Sequence, residues 1–516
     1  MSKKGYIDQF MEEYKPALKL PDQVKIFDTT LRDGEQTPGV SFTPEQKVRI
    51  ANELDEINVD VIEAGFPMVS EGEEESVKKI AEEDLDAEVC GLCRATEEDI
   101  EKAIECGVDS IHTFIATSDI HLEKKLELTR EEALEKAVHA VEFAKSYDVP
   151  VEFSAEDATR TDLDYLKKIY GAVEEAGADR INVPDTVGVC NPPAMRNLIE
   201  EIRKEVDIPI SVHCHDDFGL AVSNSVVSVE KGAEQIHVAV NGLGERAGNA
   251  SLEEVVMTLR SLYGVKPRIE TEGLVKISDL LERLTGISVP PNKAIVGDNA
   301  FAHEAGIHVD GILQSSGTYE VLSPDLVGHH RRLTLGKHTG KKSVENQLEE
   351  LDIEPSDEHL EEITERLKNI GDKGKTITDA DLKAVSESII GTLPQDEEAV
   401  KLMEATVTTG STVTPTSSVR LSVKDEERVG SATGVGPVDA VIKALRNVMN
   451  EIADLHLKEY HLDAITGGSD ALADVTVKLE DEDSNLFIAK GIREDVVLAS
   501  VEAMVNGINR YFANQE

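Results

Sequence analysis

The feature that most constrains this chain is a regular alternation, over its first half, of short apolar runs with longer charged stretches. Eight such runs occur, at 24–27, 59–63, 87–92, 110–115, 149–153, 180–183, 208–212 and 235–240. The stretches between them have an amphipathic helical pattern, for example at 43–54, 96–106, 129–146 and 162–175. Runs of this length predict buried strands, and strands that alternate with helices predict a parallel sheet.

Eight strand–helix units within roughly 220 residues match a TIM barrel, which typically needs about 250. A doubly wound open sheet is the alternative, but it more often carries Gly-x-Gly-x-x-Gly after its first strand. Gly242, Gly244 and Gly248 have a different spacing and follow the eighth run. We therefore predict an α/β fold in which residues 23–275 form a (β/α)8 barrel.

The residues outside the predicted barrel divide into three segments. Residues 1–22 have the pattern of a helical N-terminal extension. Residues 276–395 are rich in helical patterns and loops, which predicts helical accessory subdomains. Residues 396–516 change character, with strand-like runs before a glycine turn and a helix, and this order predicts a C-terminal α+β domain.

The last segment contains a weak internal repeat. Residues 408–411 precede a strand-like run at 418–423 and a helix from 438, and residues 466–469 precede a run at 474–479 and a helix from 494. Two copies of a strand–strand–helix unit predict a pseudo-symmetric domain. Such a domain either binds a small molecule between its halves or serves dimerisation alone, and the repeat leaves both open.

The composition limits the partners and the compartment. The chain has 53 basic and 101 acidic residues and a formal charge of −48, which argues against nucleic acid and anionic membranes, because both need basic patches. No run approaches the ~18 apolar residues of a membrane span, and no apolar core follows Met1 as in a signal peptide. Five cysteines, with one lone Cys-x-x-Cys at Cys90 and Cys93, do not make a disulfide framework. We expect a cytoplasmic protein whose acidity serves solubility or a salty cytoplasm.

The segment 211–219, Ser-Val-His-Cys-His-Asp-Asp-Phe-Gly, follows the seventh apolar run. Side chains alternate faces along a strand, so His213 and His215 point to the same side. Two imidazoles directed at one point, with carboxylates just behind, suit a divalent metal ion. The alternative is a pair of histidines hydrogen-bonded within a core.

Polar and ionisable residues recur where the predicted strands end. They comprise the segment 28–36, Glu63, His112, Glu156, Thr186, the two histidines and the segment 241–249. In a TIM barrel the functional residues lie at the carboxyl ends of the strands. A rim that served stability alone would not need ionisable groups at so many strand ends, so the pattern predicts a catalytic mouth.

Three separated motifs resemble those of one known family. Leu31-Arg32-Asp33-Gly34-Glu35-Gln36, the segment 213–219 and the segment 241–253 are similar to motifs of the 2-isopropylmalate, citramalate and homocitrate synthases, and the resemblance covers essentially the whole chain. It implies an acyltransferase that condenses acetyl-CoA with a 2-oxo acid in a Claisen-type reaction and releases CoA. It also implies a TIM barrel, a divalent metal, a two-part C-terminal regulatory domain and a homodimer whose active site takes residues from both subunits.

The resemblance implies a metal site and an anion-stabilising group. The implied metal-site residues are Asp33, His213, His215 and Asn249. Two histidines with oxygen ligands accept Mn²⁺ or Zn²⁺, and Mg²⁺ less comfortably. Arg32 would stabilise the oxyanion that develops on the keto oxygen, or it would form a structural salt bridge.

The same resemblance implies groups for proton transfer and substrate binding. Deprotonating the acetyl methyl group and hydrolysing the thioester both need acid–base groups, and the family positions correspond to Glu156 and His308, with the Tyr319 hydroxyl as a polarising group. The implied substrate-binding residues are Glu63, His112 and Thr186. The structural alternatives are a salt bridge for Glu156, a helix cap for His308 and local packing for His112 and Thr186.

The segment Glu63-Ala64-Gly65-Phe66-Pro67 resembles the isopropylmalate type, whose oxo acid is 2-oxoisovalerate and whose reaction begins leucine biosynthesis. Pyruvate, the substrate of citramalate synthases in isoleucine formation, is the alternative, because one or two methyl groups give only about 1–3 kcal/mol of discrimination. Homocitrate formation is less favoured, since its dicarboxylate substrate needs an extra cation in the pocket.

The C-terminal segment resembles the domain that binds the end-product amino acid in this family, which is leucine for the isopropylmalate type. The implied glycine-rich turns contain Gly434, Gly436, Gly467 and Gly468. Two rival classes are a metal-dependent acyl-CoA carbon–carbon lyase on the same barrel and an amino-acid sensor with an inactive barrel. The long extension after the barrel weighs against the first, and the intact metal and acid–base residues weigh against the second.

Overall fold

A computed structural model of the protein describes residues 20–303, 311–312, 315, 318–333, 335, 339–351, 353–372, 377–390, 399–424, 426–449, 455–465, 471–481 and 485–514. The chain forms two compact units, the first comprising Met1–Phe301 and Glu320–Arg331 and the second Ala302–Tyr319 and Arg332–Glu516. Most of the predicted N-terminal extension lies outside the described residues. Among the helices described, none is long and apolar enough to cross a membrane.

The first unit is built on a closed barrel of parallel strands. The strands are β1 (Lys25–Asp28), β2 (Val61–Gly65), β3 (Glu88–Arg94), β4 (Ser110–Ala116), β5 (Val151–Glu156), β6 (Arg180–Asp185), β7 (Ile210–Cys214) and β8 (Ala233–Val238). Each strand pairs with the next, and β1 closes the barrel by pairing with β8, with Phe27 opposite His237. The predicted TIM barrel is confirmed, and every predicted apolar run overlaps its strand.

Helices follow the strands and pack on the outside of the barrel. They are α1 (Pro44–Glu56), α2 (Glu71–Ala81), α3 (Glu97–Glu105), α4 (Arg130–Lys145), α5 (Leu163–Glu175), α6 (Pro192–Ile202), α7 (Ala221–Val229), α8 (Leu252–Thr258) and α9 (Leu274–Thr285). Threonines cap several of them: Thr43 and Thr129 accept the backbone N–H three residues on, and the side chains of Gln46 and Glu132 accept from the capping residue in return. Buried aliphatic side chains of helices and strands form one continuous core between the two layers.

The centre of the barrel is polar, although branched aliphatic side chains usually fill this fold. The Phe27 ring stacks on His237 with centroids 4.0 Å apart, and His237 Nε2 lies 2.7 Å from Glu152. Arg180 also donates to Glu152, at 3.0 Å. Burial raises the pKa of Glu152, but His237 and Arg180 outweigh it and hold this pKa well below its ordinary value. An ionic network therefore fills the middle of the barrel.

The second unit begins with a short pairing of β9 (Ala302–His303) with β10 (Arg332–Leu333). Its helical part contains α10 (Lys341–Glu350), α11 (Asp357–Asp372) and α12 (Asp379–Ile390). Leu360, Ile363 and Leu382 contribute to a buried apolar cluster of this part. Helical accessory structure is thus present where the sequence predicts it.

The C-terminal part is a tandem repeat. The first copy consists of β11 (Val400–Thr408), β12 (Thr416–Val423), β13 (Glu426–Thr433) and α13 (Pro437–Met449), and the second of β14 (His456–Ala464), β15 (Ala473–Glu480), β16 (Leu486–Arg493) and α14 (Val496–Ala513). Gly430 and Gly491, in the third strand of each copy, sit where a Cβ atom would lie 2.2 Å from a helix carbonyl. The repeat is confirmed, but each copy has one strand more than predicted. In the first copy the missed strand, residues 426–433, is mostly polar and exposed, whereas in the second copy the missed strand, residues 486–493, alternates exposed and buried positions.

Candidate active site and metal centre

A cavity of about 260 Å³ opens at the carboxyl ends of the barrel strands. Its lining includes these residues predicted from the strand ends: Arg32, Asp33, His112, Glu156, Thr186, His213 and His215. Lining residues on one strand are two positions apart, as His112 and Phe114 are on β4, because alternate residues of a barrel strand face inward. The alternation of side chains along each strand therefore brings together those cavity residues that lie on the strands.

Asp33, His213 and His215 form one buried group on the cavity wall, with ligand atoms within 4.8 Å of one another. The two Nε2 atoms are 3.1 Å apart. Asp33 Oδ2 lies 3.7 Å from Nε2 of His213 and 3.9 Å from Nε2 of His215. Two ligands that are each about 2.1 Å from one zinc ion lie roughly 3.0–3.4 Å apart. The three side chains therefore fit one divalent cation after a small movement of the carboxylate.

The protonation states of this group suit a cation. Burial raises the pKa of Asp33, but Arg32, the two neighbouring imidazoles and the hydrogen bond from Asn249 together outweigh burial and leave this pKa well below its ordinary value. Burial lowers the pKa of His213 and of His215, and the proximity of the two rings lowers that of His213 further. An ionised carboxylate and neutral imidazoles are the forms that bind a metal ion.

Asn249, on the loop after β8, is the fourth predicted metal-site residue. Its amide nitrogen donates to Asp33 Oδ1 at 2.9 Å and to the Leu243 carbonyl at 3.0 Å. Its Oδ1 is buried and has no hydrogen-bond partner within the described part of the chain. Gly244 permits this packing, because a Cβ atom there would lie 2.3 Å from the Asn249 amide nitrogen. A buried amide oxygen thus lies near Asp33, and such oxygens are ligands for hard cations.

A chain of hydrogen bonds crosses the barrel from Arg32. Arg32 donates to Asp33 and, at 2.7 Å, to Glu63. Glu63 Oε1 lies 2.6 Å from His112 Nδ1, and His112 Nε2 lies 2.6 Å from Ser154 Oγ. Burial raises the pKa of Glu63, but Arg32 and His112 hold it below its ordinary value. Glu63, predicted to bind substrate, is fully buried and does not line the cavity, so the structure places it where it orients Arg32 and His112.

Four cavity residues that complete this wall are absent from the sequence-based site. Asn182 donates to Ser154 at 2.7 Å. Leu92, Phe114 and Pro184 add an apolar wall beside these polar groups. Leu92, Phe114 and Asn182 lie on predicted strands, and Pro184 directly follows one. Phe114 lies two positions from His112, and Pro184 lies two positions from Thr186. Counting every second residue along strands β3 to β6 as facing inward would have identified these four residues.

Glu156 and Thr186 line the cavity at the ends of β5 and β6. Lys125 donates to Glu156 at 2.6 Å, and His121 Nδ1 lies 3.8 Å from the same oxygen. The Thr186 hydroxyl accepts the backbone N–H of Asp157 at 2.9 Å. Since this bond uses the oxygen as an acceptor, the Thr186 O–H can donate to a bound anion.

The remaining predicted residues lie in the second unit or outside the described residues. His308, Gly467 and Gly468 lie outside them. Tyr319 belongs to the second unit, where its ring lies against Gly311 and a Cβ atom on that glycine would be 2.7 Å from it.

A second pocket, of about 480 Å³, lies within the C-terminal repeat. Its lining includes Gly436, Val438, Ile442, Arg446 and Leu457. Gly434 precedes it, and a Cβ atom there would lie 2.4 Å from the backbone nitrogen of Ala440, in the first turn of α13. The predicted glycine turn of the first copy therefore borders a pocket whose walls are partly apolar and carry Lys443, Arg446 and the carboxylate of Asp439.

A closed eight-stranded barrel with an ionisable cavity at the carboxyl ends of its strands is the architecture of a TIM-barrel enzyme. Residues 23–281 match the family model described as HMGL-like. Residues 295–375 match the homocitrate synthase post-HMGL domain-like model, and residues 376–512 match the LeuA allosteric (dimerisation) domain.

Relatives match almost the whole chain. The chain is 59% identical to the "Probable 2-isopropylmalate synthase" of Methanopyrus kandleri, over 95% of this chain and 99% of that one. It is 55% identical to the 2-isopropylmalate synthase of Methanocaldococcus jannaschii, over 97% and 96% of the two chains. It is 51% identical to the (R)-citramalate synthase CimA of the same organism, over 94% and 99%. The chain belongs to the HMGL-like family of 2-isopropylmalate and citramalate synthases.

Proposed function

We propose that this protein is a 2-isopropylmalate synthase, which joins acetyl-CoA to 2-oxoisovalerate and releases 2-isopropylmalate and CoA. The observation that carries the proposal is the buried group of Asp33, His213 and His215 on the wall of the barrel cavity. We place the protein in the cytoplasm, where it would catalyse the first committed step of leucine formation. In Methanopyrus kandleri and in Methanocaldococcus jannaschii, the isopropylmalate synthase is more identical to this chain than the citramalate synthase of the same organism, which supports this choice of substrate.

The metal centre would be held by Asp33, His213 and His215, with Asn249 as a further oxygen donor. A bound cation would polarise the keto group of the oxo acid and fix the orientation of the two substrates. Two imidazole nitrogens favour Mn²⁺ or Zn²⁺ over Mg²⁺ as the occupant.

Arg32 is positioned to stabilise negative charge. Its guanidinium group is held by Asp33 and Glu63 and lines the cavity. When the new carbon–carbon bond forms, the keto oxygen becomes an alkoxide, and a fixed cation beside it lowers the energy of that state. Because Glu63 and Asp33 already hold the side chain, Arg32 would need little reorganisation during the reaction.

Glu156 is our candidate for the first proton transfer. It would accept a proton from the methyl group of acetyl-CoA, and the resulting enolate carbon would attack the keto carbon of the oxo acid. Water would then cleave the thioester, giving a carboxylate and free CoA. We assign the later proton transfers to His308, with the Tyr319 hydroxyl as a polarising group, and the binding of the oxo-acid carboxylate to Thr186.

The cavity wall favours a branched oxo acid. Leu92, Phe114 and Pro184 offer apolar surface beside Ser154 and His112. Compared with pyruvate, 2-oxoisovalerate buries two more methyl groups, worth about 0.8 kcal/mol each. The expected preference is therefore roughly tenfold or more in kcat/KM.

The proposal is tested with purified full-length protein, acetyl-CoA and Mn²⁺. Release of CoA thiol is followed with 2-oxoisovalerate, pyruvate or 2-oxoglutarate, and the product mass is measured. We expect the highest kcat/KM with 2-oxoisovalerate, whereas a higher value with pyruvate would make the protein a citramalate synthase. Cleavage of an acyl-CoA without condensation would instead favour the lyase.

We further propose that the C-terminal repeat makes the protein a homodimer that leucine inhibits. The match of residues 376–512 to an allosteric dimerisation domain supports this assignment. The pocket beside Gly436 joins apolar surface from Val438 and Leu457 to the cation of Arg446, which suits a branched side chain and a carboxylate. Inhibition requires leucine to bind two states of the enzyme unequally.

A further inference from the structure

Lys47, on α1, is a fully buried lysine outside the cavity. Its ammonium group donates to the Leu31 carbonyl at 3.0 Å. It also pairs with Glu35 at 2.6 Å and with both oxygens of Glu73, at 2.8 and 2.7 Å. One cation therefore joins the loop after β1 to the first helical turn after β2.

The two contacts with the β1 loop flank Asp33 in the sequence. Leu31 precedes Asp33 by two residues and Glu35 follows it by two. Glu35 is itself held, because its other oxygen accepts the backbone N–H of Phe42 at 2.8 Å. The backbone that carries Arg32 and Asp33 is therefore fixed at both ends by the same ammonium group.

The contact with Glu73 fixes the loop after β2. Glu73 Oε1 accepts the backbone N–H of Phe66 at 3.1 Å, and Phe66 lines the cavity. Gly65 makes room for this carboxylate, because a Cβ atom there would lie 2.1 Å from the same oxygen. Lys47 thus connects the candidate metal ligand with a residue of the substrate pocket.

Burying these charges costs free energy, so the contact is not needed merely to hold a helix on the barrel. An ammonium ion and two carboxylates lose most of their hydration here, and an apolar side chain of similar volume would often do as well for stability. An apolar side chain, however, could not bind a backbone carbonyl and carboxylates from two different loops. The placement of the charges therefore matches a requirement of the site more closely than a requirement of the fold.

We propose that Lys47, Glu35 and Glu73, here called the loop clasp, position Asp33 and Phe66 relative to each other and so set both metal affinity and oxo-acid binding. The inference rests on the metal centre of the proposed function. The clasp residues act through other residues and do not touch substrate. Groups that hydrogen-bond a metal ligand typically contribute about 10–100-fold to metal affinity, and we expect the clasp, which holds the backbone on both sides of Asp33, to act within that range.

The two carboxylates of the clasp have separable effects. Glu35→Gln weakens the link to the β1 loop, so we expect the Kd for Mn²⁺ to rise about tenfold. Glu73→Gln weakens the link to Phe66, so we expect the KM for 2-oxoisovalerate at saturating Mn²⁺ to rise several-fold while the Kd for Mn²⁺ changes less than twofold. A merely structural role would lower stability in both variants without this division.

The test compares the full-length wild type with Lys47→Met, Lys47→Arg, Glu35→Gln and Glu73→Gln. The matched control is Lys167→Met. Lys167 on α5 pairs with Glu201 on α6 at 2.5 Å, and neither residue lines the cavity. The Kd for Mn²⁺ is measured by calorimetry without substrates, KM is measured at saturating metal, and melting temperature is recorded for each variant.

We expect Lys47→Met to raise the Kd for Mn²⁺ about 10–100-fold, with partial recovery in Lys47→Arg and no change in Lys167→Met. A folded Lys47→Met protein with the Kd and KM of the wild type would overturn the clasp and leave the proposed function intact. A wild type that binds neither Mn²⁺ nor Zn²⁺ would overturn both. If Lys47→Met does not fold, Glu35→Gln and Glu73→Gln test the proposal instead. Equal effects of these two variants on the Kd for Mn²⁺ and on the KM for 2-oxoisovalerate would contradict it.

Discussion

Arg32 donates one N–H to Glu63, 2.7 Å away, and another to the neighbouring Asp33. The same guanidinium group therefore links a candidate metal ligand to a buried carboxylate on the next strand. Glu63 continues the link to His112 on β4. Groups that would bind the cation, the developing oxyanion and the substrate are thus held in one hydrogen-bonded chain, and changes in one of them should affect the others.

Replacing Glu63 with glutamine removes a fully buried negative charge and leaves Arg32 incompletely compensated. We expect the free energy of unfolding to fall by about 3 kcal/mol. We also expect kcat to fall about 10²-fold or more, because the guanidinium group is no longer fixed for the oxyanion. Urea unfolding and steady-state kinetics measure the two effects, and a variant with wild-type kcat would contradict the role given to this pair.

Arg32→Lys keeps a positive charge but loses the planar fork that binds Asp33 and Glu63 together. Because lysine cannot reproduce both contacts, we expect kcat to fall about 10²–10³-fold. The KM for acetyl-CoA should change far less than kcat. Wild-type kcat in this variant would show that charge alone suffices and that the fork geometry is unimportant.

Leu92→Phe should reduce the space for the oxo-acid side chain, since Leu92 lines the cavity. We expect kcat/KM for 2-oxoisovalerate to fall at least tenfold relative to kcat/KM for pyruvate, as the smaller substrate still fits. Leu92→Met, which nearly conserves the volume, is the control and should keep the wild-type preference. Equal losses with both oxo acids in Leu92→Phe would place the substrate side chain elsewhere.

Asp28 gives the protein a pH dependence that can be tested directly. Burial raises the pKa of Asp28 to about 7 and outweighs the hydrogen bonds from Thr30. Since the unfolded chain has a pKa near 3.9 at this residue, the folded state keeps a proton between about pH 4 and 7 that the unfolded state has lost. The free energy of unfolding therefore falls as pH rises through this window, by an amount on the order of 3–4 kcal/mol.

Asp28→Asn cannot titrate, so its stability relative to the wild type should improve as the pH rises. Urea unfolding of both proteins at pH 4.5 and pH 8 provides the comparison. A stability difference that is the same at the two pH values would contradict the raised pKa.

Gly436→Val should interfere with leucine, because Gly436 lines the C-terminal pocket and the space next to its Cβ position is open. We expect the leucine concentration that halves the activity of this variant to rise at least tenfold over that of the wild type. Calorimetry with leucine and with isoleucine measures binding independently of activity. Unchanged leucine binding would move the effector site away from this turn.

The barrel was predictable because its strands and helices repeat a local pattern, and the cavity because strand ends of a barrel converge. The contacts among its residues were not predictable in the same way. Glu63 looked like a rim residue, yet the fold buries it between Arg32, from the loop after β1, and His112, from β4. Lys47 carries no local signal of its burial, because the two carboxylates that pair with it come from separate segments of the chain.

The third strand of the first C-terminal copy escaped prediction for a different reason. Residues 426–433 lack the regular apolar alternation of a half-buried strand, and only Gly430 among them is buried. The strand forms because β12 supplies its hydrogen-bonding partner. Pairing with a neighbour is a tertiary effect that the composition of the strand itself does not contain.

The most direct test of this account is calorimetric titration of the full-length protein with Mn²⁺ and with Zn²⁺. We predict one ion per chain in the wild type and in His139→Ala, whose histidine is exposed on α4 and pairs with Glu97. We predict a loss of affinity of at least 100-fold in the double variant His213→Ala/His215→Ala. In the wild type, chelation should abolish CoA release, and adding the metal should restore it. Binding of wild-type affinity in the double variant would contradict the metal centre.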